Sequence, residues 1–249
     1  MTTKIGVATI SLAAALAPSA AGQKASPELN ASAALCFGKT HGTWPQMVEA
    51  CTKVLAANVN PQTKAGAFYN RGTAAMRLGA GGNALADFNE AIEINPDFAR
   101  ALNARASIYI AQGKFDRAIA DLDKSIAVDP KSSVAYNDRG LAHSGKRDYP
   151  KAVADMNKAI ELEPNDASSY AVRGSIYLES GDTTRALADL DKAISMDPKL
   201  VPALYNRGVL HLKNGDKPKA KADFELVLVQ VPDHAEAKRK VADLEKSGG

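Results

Sequence analysis

Five prolines, Pro96, Pro130, Pro164, Pro198 and Pro232, follow one another at intervals of 34 residues without exception. A period of that size marks one supersecondary unit copied along the chain, and it limits the possible folds more tightly than composition does. Two charged columns keep the same period: Arg71, Arg105, Arg139, Arg173 and Arg207, and Asp87, Asp121, Asp155, Asp189 and Asp223. Five full units result, 65–98, 99–132, 133–166, 167–200 and 201–234. Within a unit, apolar residues recur at helical spacing in two segments, as in Leu102, Ala106 and Tyr109, then Ala118, Leu122 and Ile126. Each unit therefore reads as a pair of helices. Gly79, Gly113, Gly181 and Gly215 close the first helix, and the repeating proline, which lacks an amide hydrogen, closes the second. Small residues at Gly72, Ala106, Gly140, Gly174 and Gly208 face the alanine column 84, 118, 152, 186, 220, so the paired helices can approach closely although only 6% of the chain is aromatic.

This pattern resembles the tetratricopeptide repeat. The family's bulky, small, aromatic, Ala, aromatic, Ala, Pro signature falls, in the fourth unit, on Tyr170, Gly174, Tyr177, Ala186, Leu190, Ala193 and Pro198. The resemblance spans residues 65–232 and implies an all-α, right-handed superhelical solenoid. Three departures stand out. The usual Leu before the small residue is Arg throughout, His143 and His211 replace an aromatic, and Arg147 stands where the third unit should have its turn glycine.

Outside the repeats, residues 1–21 have the layout of a secretory leader: Lys4 is the only charge, Ile5 to Ala17 is apolar, and Ser19-Ala20-Ala21 offers a cleavage site. The apolar run is shorter than the roughly 20 residues a membrane-spanning helix needs, so the mature chain is expected to be exported, periplasmic or extracellular, without a span. Residues 28–61 read as an irregular amino-terminal helix pair. Cys36 lies near the end of its first helix and Cys51 within its second, joined through Gly38, Gly42 and Pro45. An even cysteine count in an exported chain favours a Cys36–Cys51 disulfide over two buried thiols. At the other end, Asp233 and Glu236 suggest a capping box opening a polar helix over 233–247.

A formal charge of +3 is too small for a nucleic-acid binder. No nucleophile triad, phosphate loop or paired carboxylates stand out, so neither an enzyme nor a cofactor is expected. His143 and His211, one column two repeats apart, read as core packing. The joint Arg and Asp columns suggest a ladder of ion pairs, with Arg139 able to pair to Asp121 or to Asp155.

In the family the resemblance points to, the first helix of each unit lines the concave groove. Carried onto this sequence, that places Tyr69, Asn70 and Arg77; Arg100 and Asn103; Asn137 and Asp138; and Tyr205 and Asn206 along the binding face. Asparagine can donate to and accept from a peptide backbone at once, which suits an extended ligand. The leading expectation is thus a scaffold or adaptor for a protein or peptide partner. Its rivals are a self-associating structural component and a recruiting subunit of an envelope polysaccharide or peptidoglycan machinery.

Overall fold

The computed structural model describes residues 26–246, so the leader read in residues 1–21 lies outside it. Thirteen helices and no strand occur among the described residues. They fall into two compact units that divide between Pro130 and Lys131, two residues before the boundary of the second and third repeats.

The first unit holds α1 (Pro27–Cys36), α2 (Trp44–Ala56), α3 (Pro61–Arg77), α4 (Gly81–Ile94), α5 (Ala99–Ala111) and α6 (Phe115–Val128). Its first three helices open alike: Ser26, Thr43 and Asn60 cap the free amides through their side chains, and a proline follows in the first turn. Thr43 and Gln46 form a reciprocal capping box. Pro45 therefore belongs to α2 rather than to the connecting loop. Likewise, the Asn60 cap starts α3 four residues ahead of the expected Ala65. Cys36 and Cys51 are joined by a disulfide with their Cα atoms 4.8 Å apart, and both are fully buried beside Phe37 and Val54.

The second unit holds α7 (Ser133–Gly145), α8 (Tyr149–Leu162), α9 (Ala167–Ser180), α10 (Thr183–Met196), α11 (Val201–Lys213), α12 (Lys217–Gln230) and α13 (Ala235–Lys246). The small column does what its residues suggest. A Cβ added at Gly174 would lie 2.9 Å from Leu190 Cγ and 3.3 Å from the Ala186 carbonyl oxygen, so α9 and α10 are in contact where a side chain would not fit. Where the other four repeats place a glycine at positive φ after the first helix, the third places Arg147, at φ 61°. The turn has the same left-handed geometry without the residue that takes it freely. The capping box expected at Asp233 is not formed. His234 Nδ1 accepts from the Ala237 amide at 3.2 Å, and Asp233 pairs with Lys238 instead. Ala237 is buried, with Val241 and Leu244 packed beside Leu204, Phe224 and Val227, so α13 closes the last repeat's core.

Candidate functional site

The arginine column resolves into five equivalent clamps. In every repeat Arg Nε and Nη2 donate to the two carboxylate oxygens of the Asp on the second helix of the same repeat: Arg71–Asp87, Arg105–Asp121, Arg139–Asp155, Arg173–Asp189 and Arg207–Asp223, all at 2.7–2.9 Å. The choice left open for Arg139 falls on Asp155. These hydrogen bonds hold Arg71, Arg105, Arg173 and Arg207 above the ordinary guanidinium range against an opposing effect of burial. The third nitrogen reaches further back. Nη1 of Arg105, Arg173 and Arg207 donates to Asn89, Asn157 and Asp191 of the preceding repeat, and that of Arg71 to Thr52 of α2. Sequence reading missed these partners, although Asn89, Asn157 and Asp191 were visible as a polar column of the same period. Phe68, Tyr136 and Tyr170 support the guanidinium groups of Arg71, Arg139 and Arg173 at 5.5–5.6 Å from the ring centres.

His143 and His211 sit beside two of the clamps, their Nε2 atoms 4.0 and 3.9 Å from Asp155 and Asp223 Oδ2. Burial pushes the His143 imidazole below its ordinary value, and the Asp155 carboxylate acts against that shift. No group of three His, Cys, Asp or Glu side chains that could hold a metal occurs among the described residues.

The first-helix face differs from the expected row of open amides. Tyr69 is buried at 2% exposure between Phe88 and Phe98, and burial raises its hydroxyl above the ordinary range. Asn70 is fully buried, its Nδ2 donating to the Cys36 carbonyl at 3.1 Å. Both were assigned to the groove and are instead part of the core, because the end of α1 meets Asn70 while α4 and Phe98 cover Tyr69. Tyr205 is likewise taken up by packing: its ring stacks on His234 at 5.2 Å, and burial together with the Glu236 carboxylate raises its hydroxyl above the ordinary range, both neighbours coming from the terminal cap. Arg77 lies over the half-exposed Trp44 ring, and Arg100 over Tyr69 and Phe98. On α5, Asn103 is half-buried and its Oδ1 is buried with no hydrogen-bond partner. In the second unit Asn137 donates to Ser169 Oγ at 3.2 Å, while Asp138 and Asn206 are half-buried. The four asparagines also occupy two registers. Asn103 and Asn137 share one repeat position, whereas Asn70 and Asn206 share the next.

Profiles of the tetratricopeptide repeat match residues 69–133, 106–176 and 202–234, and a TPR repeat profile matches 174–215. The chain belongs to the tetratricopeptide repeat family. A comparison with curated protein sequences finds no match. Among solved structures, a tetratricopeptide repeat protein from Parabacteroides merdae is similar over 89% of this chain and 86% of its own, at 22% identity and a TM-score of 0.70. Pseudomonas aeruginosa pilF is similar over 87% of this chain and 97% of its own, at 17% identity and 0.69. YrrB, described as a TPR protein with an unusual peptide-binding site, covers 77% of this chain and 97% of its own, at 21% identity and 0.56. At these identities the likeness is one of fold. Within the helix pair, the arginine clamps stand where the family's usual Leu would, and on the first-helix face the Oδ1 atom of Asn103 has no hydrogen-bond partner.

Proposed function

We propose that this tetratricopeptide repeat protein is an exported, non-enzymatic scaffold that binds an extended peptide segment or protein surface along its first-helix faces. The observation that carries the reading is Asn103, whose Oδ1 is buried without a donor. A buried acceptor left unmatched costs about 1–3 kcal/mol, and because Asn103 is only half-buried, a turn of its amide toward the helix face lets a ligand N–H reach that oxygen and remove the cost. Arg100 and Ser107 stand one turn to either side of Asn103 on the same helix face, and Ser107 Oγ is bonded back to the Asn103 carbonyl. Asn137, at the same register in the next repeat, and Asn206 on α11 add half-exposed amides that can both donate and accept. The Cys36–Cys51 disulfide supports export, since such bonds persist in oxidising compartments. The peptide-binding description of YrrB supports a peptide ligand by analogy of fold.

The test begins with partners captured from envelope extract and identified by mass spectrometry, whose contacting segments are resynthesised as peptides. Combined Asn103→Ala, Asn137→Ala and Asn206→Ala substitution is expected to weaken binding by roughly tenfold or more, with little change in melting temperature. If binding survives that change and is lost on replacing the second-helix residues Lys124, Lys158 and Lys192, the ligand lies on the opposite face and the reading is wrong.

A further inference from the structure

Each repeat serves as a control for the others, and one surface of the fifth departs from the rest. On the outer side of each second helix, the position held by Glu90, Lys124, Lys158 and Lys192 becomes Leu226. One turn later, Glu93, Ala127, Glu161 and Ser195 give way to Val229, and the polar residue that closes each helix gives way to Val231. These three are 45%, 71% and 40% exposed. Single exposed apolar residues are ordinary, but Leu226 and Val229, one turn apart on α12 with Val231 at its end, are gained together at positions the protein elsewhere keeps polar or small, which marks a contact surface. The chain's own terminal helix does not cover it, because α13 places Ala237, Val241 and Leu244 against the inner core of the repeat.

We propose that this stripe is a self-association surface, on which α12 packs antiparallel against α12 of a second copy of the chain. A two-fold contact requires a self-complementary face, and α12 has one when the axis passes Leu226. Leu226 then meets its own symmetry mate, and the exposed Ala222 leaves room for the larger Val229 of the partner subunit. Lys219 stands seven residues before Leu226, about 10 Å along the helix, and Asp233 lies in the turn that follows the end of α12 at Gln230. The Lys219 and Asp233 side chains are 68% and 99% exposed, and their present pairs with Asp216 and Lys238 are surface pairs that exchange at little cost. Both charge signs flanking the stripe favour a second copy over an anionic lipid surface, which Glu225 and Asp233 would repel.

Sedimentation velocity over a concentration series, with the purified protein, tests the proposal. The unaltered protein is expected to show a monomer–dimer equilibrium, and Leu226→Lys with Val229→Ser, which restores residues used in other repeats, to weaken it by roughly tenfold or more at unchanged helicity and melting temperature. Ala222→Glu provides an independent variant with the same expectation. An unaltered protein that stays monomeric at its highest soluble concentration overturns the proposal, as does a dimer indifferent to all three apolar-stripe substitutions. A monomer that binds phosphatidylglycerol vesicles through Leu226 and Val229 also overturns it and assigns the stripe to lipid.

Discussion

Replacing Arg139 with leucine should destabilise the protein more than replacing Arg139 and Asp155 together. The Asp155 side chain is only 8% exposed and that of Arg139 21%, and the pair is joined by two parallel hydrogen bonds of 2.9 and 2.7 Å. Arg139→Leu leaves a buried carboxylate without its partner, a change that costs about 3–5 kcal/mol, whereas removing both charges costs little or nothing beyond imperfect packing. At about 3 °C per kcal/mol for a chain of this size, the single variant should melt about 10 °C lower, and the double variant should regain most of that. The loss should also depend on pH. His143 Nε2 lies 4.0 Å from the stranded carboxylate, and among the charges that lower its affinity for a proton, Arg139 is removed while Lys151 remains. Its folded pKa is then higher than in the unaltered protein, although burial still opposes the charge, so part of the loss is recovered as pH falls through the imidazole range. Arg139→Leu should therefore cost less at pH 5.5 than at pH 8, whereas Arg173→Leu, with Tyr177 at the equivalent position, should show no such relief. Urea titrations of the four proteins in the double-mutant cycle at both pH values provide the measurement. Additive losses, with coupling below about 0.5 kcal/mol, would refute the clamp as an energetic unit.

Arg147→Gly should stabilise the third repeat by about 0.5–1 kcal/mol, read by thermal unfolding, because the left-handed turn at φ 61° suits glycine. Gly174→Ala should cost about 1–3 kcal/mol, since its Cβ would lie 2.9 Å from the Leu190 branch point and close to the Ala186 carbonyl; an unchanged melting temperature would contradict close packing there. Reducing the Cys36–Cys51 bond, which closes a loop with a sequence separation of 15, should remove about 3 kcal/mol from the amino-terminal pair, seen as faster amide exchange in α1 and α2. In the unaltered protein His143 should titrate below 6.5 by NMR. Its folded state then binds fewer protons than the unfolded chain, so its contribution lowers stability as pH falls below that value.

The repeat period made the helix pairs legible because proline, glycine and alanine act locally: each restricts the backbone or the interhelical distance wherever it stands. The arginine and aspartate columns could be recognised as a ladder for the same reason, but the choice between Asp121 and Asp155 for Arg139 was decided only by the packing of the two helices within one repeat. The first-helix face was less legible. Tyr69 and Asn70 occupy repeat positions that the resemblance assigns to a groove, but Phe88 and Phe98 bury Tyr69 and the end of α1 meets Asn70. Tyr205 is taken up by the terminal cap through His234 and Glu236, a contact between separate elements that no period announces. At the carboxyl end, the capping box at Asp233 was a reasonable local reading, but His234 supplies the acceptor one residue later. Terminal repeats lack a neighbour on one side, so the irregular flanking helices decide what their surfaces do.

The central claim, that a partner lies on the first-helix face, is tested most directly by site-specific photo-crosslinking. A photoreactive residue is placed in turn at the half-buried first-helix positions Leu141 and Ser175 and at the exposed second-helix positions Lys124 and Lys192. After irradiation in envelope extract, adducts to a common partner are expected from Leu141 and Ser175 and not from the two lysine positions. Adducts from Lys124 and Lys192 alone would contradict the account.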